Sequence, residues 1–407
     1  METVEDICSE YSAVVLSIVW PGDNSGGSLA IRSSLIQYAR CFKHVYFIGL
    51  VDRPLPPKDG NYQNVTFHHV PIQREALWLR FGKSLLSRDP ASMIAVKGRH
   101  AFGRLCKVFD DALNQAGGKV VSIIECITPC VHLPGLKRRY PEIKWIYRNS
   151  DILHRAFSPF ASQGNPVVRL AWKWEIARTF RIERWVADTV DFYWTITPDD
   201  AAETERIFAR TVDGVLGIDV DTTRFDAVEP GDLHTVIHLG TADYRKAHGI
   251  RSFLELAWPR LRAAYPDARF LLGGLGTESF NRPNEGIFGL GFIQDPAKFL
   301  SEGFIFLNPQ RAGTGIKVKS LNAMAAGKLL VTSENGALGI GGKDGEHLLI
   351  RETSEALGDA ILDAWKNPEI AARIGVNGRR HIETSFSAEG LSKRFDALIV
   401  PILKELD

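Results

Sequence analysis

Net charge is nearly absent from this chain, with 49 Lys+Arg against 48 Asp+Glu over 407 residues. That balance excludes a dedicated nucleic-acid binder, which needs a basic surplus. Cysteine is scarce: five residues, an odd number, scattered along the chain. The closest pair, Cys126-Ile-Thr-Pro-Cys130, has neither redox nor zinc-knuckle spacing. Reduced thiols in a cytosolic compartment are therefore expected. No apolar run approaches a membrane span, and Met-Glu-Thr-Val-Glu-Asp lacks the basic start of a signal peptide. The expected location is the cytoplasm, peripheral at the inner face of the membrane. Gly273, Gly274 and Gly276 miss the GxGxxG spacing, which argues against a dehydrogenase. No Asp-x-Asp stands in a suitable strand-end loop, so neither a metal nor another cofactor is expected. Internal repeats and low-complexity tracts are missing as well.

What is present is a hydrophobic content of 45%, enough for two substantial cores. Short apolar runs alternate with helical patterns, the mark of parallel α/β architecture. Strands are predicted at 13–19, 45–49, 65–69, 120–125, 145–147 and 192–197. A second set follows at 235–240, 269–273, 287–289, 304–308, 329–332 and 347–350. Two such sets imply two doubly wound, Rossmann-like domains facing a cleft, with ligands at the carboxyl ends of the strands. The join is expected near Asp213–Thr223, placing the domains at residues 1–212 and 213–387. The charge is split between them: residues 1–212 hold 27 Lys+Arg and 22 Asp+Glu, and the remainder holds 22 and 26.

The most informative stretch is Arg311–Ile340. Gly313, Thr314 and Gly315 make a loop that leads into a short helical pattern, which stops at Gly327 before the apolar run Leu329–Val331. Lys317 and Lys319 sit just past the loop. Glycine-freed N–H groups, a helix N-terminus and ammonium groups together suit a diphosphate. A packed helix with a capping loop is the plainer alternative.

From Gly313 to Gly339 this block resembles the donor-binding signature of GT-B glycosyltransferases of the glycosyl transferases group 1 type. These are two-domain enzymes that take a sugar from a nucleotide diphosphate sugar. The family's Glu-x7-Glu pair falls on Thr314 and Asn322, and its usual Pro on Leu329. Asn322 keeps the capacity to hydrogen-bond a ribose hydroxyl, whereas Thr314 cannot supply the charge of a retaining enzyme's carboxylate. The resemblance also implies donor contacts by Gly240, Arg245 and Lys246 in the loop after the strand at 235–240. It implies a nucleobase contact at Phe292 or Ile293, for which a core role is the alternative. It further implies that the last stretch, residues 388–407, returns to the first domain as a helix.

In the first domain, Gly26 and Gly27 precede a helix expected to begin near Leu29, a turn that admits a phosphate or is simply structural. Asp151, in Ile146-Tyr-Arg-Asn-Ser-Asp-Ile-Leu-His154, stands just past a strand, where an inverting transferase needs a general base. The same stretch, together with Lys319-Ser-Leu-Asn322, resembles glucuronosyltransferases of xanthan assembly, which run Tyr-Arg-Ala-Ser-Asp and Lys-x-x-Gln. His154 is the second candidate base. The structural alternative for Asp151 is a helix N-cap. Lys319 is the expected stabiliser of the leaving diphosphate, with Lys317 assisting or pointing outward.

Arg74–Lys107 carries eight basic and two acidic residues interleaved with Leu77, Trp78, Leu79 and Phe81. Arg169–Trp185 repeats that composition, with Leu170, Trp174, Ala177 and Trp185 expected on a core-facing side. Cationic and apolar residues together suit an anionic membrane surface. The expected activity is transfer of a hexosyl or glucuronosyl group from a UDP-linked donor to a lipid-linked or polysaccharide acceptor, with inversion. A retaining transferase, a nucleotide-sugar 2-epimerase and a non-catalytic nucleotide-sugar binder are the alternatives.

Overall fold

The computed structural model describes residues 4–22, 26–54, 62–72, 77–87, 89–97, 99–162, 164–241 and 247–406. The chain forms two compact units, one of Met1–Ile218 with Leu391–Asp407, the other of Asp219–Gly390.

The first unit is built on β1 (Tyr11–Ser17), β2 (His44–Val51), β3 (Val65–Pro71), β4 (Lys119–Glu125), β5 (Trp145–Asn149), β6 (Phe192–Thr195) and β7 (Gly214–Val215). They pair in parallel in the order β3-β2-β1-β4-β5-β6-β7. Every residue of β1 is buried, because helices cover both faces of such a sheet and remove the need for a polar side. Strand order reverses between β1 and β4, the switch point at which doubly wound sheets bind ligands. The six predicted strands of this half all coincide with observed ones. β7 falls at the expected join, where two residues carry no periodicity.

The helix Ala388–Leu406 places Leu391, Phe395, Ile399, Ile402 and Leu403 in one of this unit's two cores. Their spacing is that of a single helical face. The Tyr11 hydroxyl donates to the Leu403 carbonyl at 3.0 Å. Cys8 and Cys41 form a disulfide with Cα atoms 5.2 Å apart. This corrects the expectation of five reduced thiols. The helices Val4–Ser9 and Gly26–Cys41 bring the pair together across a separation of 33 residues, which no local spacing announces.

A second correction concerns the helix Pro166–Thr189. Three of its four expected core residues face solvent, Leu170 at 68% and Trp174 at 47% exposure and Ala177 exposed, while half-buried Trp185 packs against the core. The buried residues are instead Glu175, Arg178, Thr179, Glu183, Val186 and Ala187. The reason lies in three neighbouring helices. Glu175 accepts the amides of Ala91 and Ser92 at 2.7 and 2.9 Å, at the start of the helix Ala91–Lys97. Arg178 donates to the carbonyl of Ser84, near the end of the helix Leu77–Leu86, and to that of Asp89. Glu183 accepts the amide of Leu153 at 2.6 Å, at the start of the helix Leu153–Phe157. Helix ends leave unpaired backbone groups, and these three charged side chains satisfy them. Of the basic stretch Arg74–Lys107, Arg74 and Arg88 lie outside the described residues.

The second unit is built on β8 (Asp232–Leu239), β9 (Arg269–Gly273), β10 (Ile287–Gly291), β11 (Gly303–Asn308), β12 (Leu329–Thr332) and β13 (Leu349–Ile350). These pair in parallel in the order β10-β9-β8-β11-β12-β13. Its core gathers Val236, Phe253, Phe270, Ile305, Val331 and Ile361. All six predicted strands overlap these, with β8 starting three residues earlier than expected. Among the described residues, no helix is long and apolar enough to cross a membrane.

Candidate active site

In the second unit, β11 ends at Asn308 and the chain runs through the glycine loop into the helix Val318–Ala325. Gly313 has φ 122° and Gly315 has φ 69°, values that favour glycine. A Cβ on Gly313 would also lie 2.8 Å from Gln310 Nε2. The loop is braced from within. Gln310 Nε2 donates to the Ala312 carbonyl and Asn335 Nδ2 to the Gly313 carbonyl, both at 2.7 Å. Lys317 Nζ donates to the carbonyls of Thr314 and Gly315, each at 2.8 Å.

That last contact excludes the outward-pointing alternative for Lys317. The side chain is 6% exposed, and its ammonium braces the loop from within. It stabilises the loop's shape by donating to two of its carbonyls. Asn308 is fully buried, with Nδ2 on Ser320 Oγ at 2.8 Å, and Ser320 Oγ donates to the Gly336 carbonyl at 2.9 Å. This ties the strand end, the helix start and the second glycine turn into one unit. Neither Asn308 nor Asn335 was singled out from the sequence. Their positions, one at a strand end and one in a turn, are the only local signal.

Lys319 sits in the first turn of the helix Val318–Ala325, a turn that carries no acidic residue of its own. A cation at the positive end of a helix is unfavourable unless an anion is held there. Asn322 follows three residues later, on the same side of the helix, and is half-buried. At the end of β8, a Cβ on Gly240 would come 3.5 Å from Lys319 Nζ and 3.2 Å from His238 Nε2. Glycine leaves that space open. His238 is buried, and its Nδ1 donates to the Leu307 carbonyl at 2.8 Å, which leaves Nε2 as the acceptor. Burial, and then the nearby Lys319 charge, push its pKa down to about 3, so this ring is neutral at working pH. Arg245 and Lys246 lie outside the described residues. Phe292 is 66% exposed, so it is not a core residue. Ile293 fills the space over Gly273 instead.

In the first unit, Asp151 is exposed, two residues beyond β5. Its amide donates to Asn149 Oδ1 at 3.3 Å, and Asn149 is itself held by the hydroxyls of Tyr147 and Tyr193 at 2.9 and 3.1 Å. Asp151 is not the N-cap of the next helix. That position is Ile152, and the carboxylate of Glu183 takes the capping role. His154 Nδ1 meets Glu183 Oε2 at 2.5 Å, and the ring packs edge-on against Phe180 and Phe208. Both candidate bases thus stand on a segment fixed by buried partners. Glu183 was missed because its contacts are long-range.

Beneath them lies a fully buried ion pair, Arg148 Nη1 to Glu125 Oε2 at 2.9 Å, at the ends of β5 and β4. Ser34 and Tyr38 also donate to Glu125, and Arg148 donates to the carbonyls of Leu216 and Gly217. Every charge here has partners, as burial requires. Cys126, next along from Glu125, holds φ 65°, a left-handed conformation costly for a non-glycine residue. Gly26 and Gly27 form the first turn of the helix Gly26–Cys41, so the helix begins three residues before the expected start at Leu29. They are exposed helical residues, preceded by 23–25, which lie outside the described residues. Among the described residues, no group of three or more His, Cys, Asp or Glu is disposed to hold a metal ion.

Two parallel doubly wound units, the second carrying a glycine loop at a helix N-terminus, define the GT-B fold. Residues 234–367 match the family model of glycosyl transferases group 1. Similar solved structures include sucrose-phosphate synthase from Thermosynechococcus elongatus, with TM-score 0.71 and 15% identity over 97% of this chain and 99% of that one. Anabaena HepE in complex with UDP-glucose has TM-score 0.66 and 12% identity over 96% and 99%. A glycosyltransferase from Rickettsia africae has TM-score 0.64 and 13% identity over 98% of each chain. At these identities the likeness establishes the fold. No curated protein matches the chain by sequence.

Proposed function

We propose that this chain transfers a sugar from a nucleotide diphosphate sugar, UDP-linked, to a lipid-linked or polysaccharide acceptor. The observation that carries the reading is the convergence of Lys319, the helix N-terminus and Gly240 within the glycosyl transferases group 1 domain. Amides and an ammonium stabilise a leaving diphosphate without rearranging during the reaction. Structures of Anabaena HepE with UDP and with UDP-glucose support a uridine nucleotide as the first donor to test. Asn322 hydrogen-bonds the ribose and Phe292 meets the base. The wider donor set includes Gly313, Thr314, Gly315, Arg245 and Lys246.

Inversion is the proposed outcome, because Thr314 and Asn322 stand where retaining relatives carry carboxylates. Asp151 serves as the general base: it accepts the acceptor hydroxyl's proton as that oxygen attacks the anomeric carbon and the carbon–diphosphate bond breaks. The motif similarity to glucuronosyltransferases of xanthan assembly makes UDP-glucuronate a donor to include, beside hexosyl donors. His154, oriented by Glu183, is the second base to consider. The first unit is taken to work at an anionic membrane surface, in keeping with its basic surplus.

The test is a screen of nucleotide sugars for release of free nucleotide, followed by NMR of product anomericity. Inverted product, with a kcat loss of about 100-fold or more in Asp151→Asn, is the expected result. Retained configuration, or unchanged turnover in that variant, would remove Asp151 from the chemistry.

A further inference from the structure

We infer that the outer face of the helix Pro166–Thr189 is the surface by which this protein lies on an anionic phospholipid bilayer. The inference rests on the reading of the first unit as membrane-facing and assigns that contact to one helix. Its amphipathicity is inverted. Val167 is 76% exposed, and Leu170, Trp174 and Phe180 are exposed with it. The helix spends its buried face on Glu175, Arg178 and Glu183, which satisfy the ends of three other helices. A surface helix with only water outside carries its polar residues there. A run of large apolar side chains on the wet side calls for a partner.

The charges on that face select the partner. Arg169, Lys173 and Arg181 are exposed among the apolar residues. The helix contains three acidic residues. Glu175 and Glu183 are buried, and Asp188, at the far end, is paired with Arg184 at 3.2 Å. The outer face is therefore apolar and cationic, the combination that binds in the interface of an anionic bilayer. A second copy of the chain is disfavoured, because a two-fold contact would set the same cations against one another.

Two further features support a preformed surface. Asn165 caps the helix, accepting the amide of Val168 at 2.9 Å, and Pro166 occupies its first turn, so the exposed valines stand on a fixed helix. Trp174 has the Arg178 guanidinium over its ring at 4.3 Å, which holds the indole in place, and Trp favours the headgroup region. From Val167 to Phe180 the face runs about 20 Å along the axis. Glu183, which fixes the segment of the candidate bases, lies on this same helix.

Flotation with vesicles of equimolar phosphatidylcholine and phosphatidylglycerol tests the assignment, using the full chain, a Leu170→Asp/Trp174→Asp variant and a Lys173→Glu/Arg181→Glu variant. Both variants change exposed positions, and their thermal midpoints should match wild type. Wild type should float with the anionic vesicles and not with phosphatidylcholine alone. Each variant should lose apparent vesicle affinity by at least about tenfold, with turnover on a water-soluble acceptor unchanged. Flotation of both variants at wild-type level would overturn the assignment to this helix and leave the membrane reading standing. Failure of wild type to float would remove both. A concentration-dependent dimer in sedimentation, lost in the Leu170→Asp/Trp174→Asp variant, would give the face to a second copy and overturn the inference.

Discussion

Glu183 closes on His154 at 2.5 Å, Oε2 to Nδ1, while its other oxygen accepts the Leu153 amide at 2.6 Å. One buried carboxylate thus fixes both the start of a helix and the ring that stands three residues after Asp151. The geometry is that of an orienting residue, which acts through its neighbours.

Glu183→Gln keeps the volume and one acceptor for the Leu153 amide but removes the charge. We expect kcat to fall about 10- to 100-fold, with donor KM within about twofold, and partial recovery in Glu183→Asp. Steady-state kinetics with both variants decide. Equal losses in kcat and thermal stability, with no recovery by Asp, would reduce Glu183 to a structural role.

The two lysines of the donor block should separate cleanly. Lys319→Ala should raise donor KM and lower kcat, because an ammonium beside the helix start is lost, while the thermal midpoint stays near wild type. Lys317→Met should instead destabilise the fold by about 1–3 kcal/mol, the cost of removing the ammonium's hydrogen bonds to two loop carbonyls. Melting curves and donor titrations measure both. Wild-type kinetics in Lys319→Ala would remove it from the site.

His238 makes stability depend on acid. Its folded pKa is about 3, below the ordinary value of about 6.5. Between these values the unfolded chain binds a proton that the folded chain refuses. The contribution is intact above pH 6.5 and is lost as pH falls, by on the order of 3 kcal/mol at about pH 4. His238→Asn keeps a donor for the Leu307 carbonyl and cannot titrate. Urea unfolding across this range should show a shallower acid loss in the variant, and identical slopes would contradict the assignment.

Thiol titration of the denatured protein without reductant should find Cys106, Cys126 and Cys130 reactive, and Cys8 and Cys41 only after reduction. Five reactive thiols before reduction would show the bridge unformed.

The fold was legible because its determinants are local. Buried parallel strands read as apolar runs, and all twelve predicted ones overlap strands of the structure. The glycine loop was legible for the same reason, since φ values such as 122° at Gly313 require a residue type. The helix Pro166–Thr189 was misread because apolar periodicity shows that a helix has a stripe, not what covers it. The inward turn of Lys317 was not legible, because spacing places a residue on the loop without saying which way its ammonium turns.

The sequence by itself therefore determined the two parallel sheets, the glycine turn at Gly313–Gly315 and the placement of Lys319 in a helix's first turn, all matters of neighbours within a few residues. Only the tertiary structure decided that Glu183 meets His154, that Cys8 reaches Cys41, and that Trp174 faces outward while Glu175 is buried. The physical reason is shared: a buried charge needs a partner, a helix end needs an acceptor or donor, and a thiol needs a second thiol. Those partners come from segments far away along the chain.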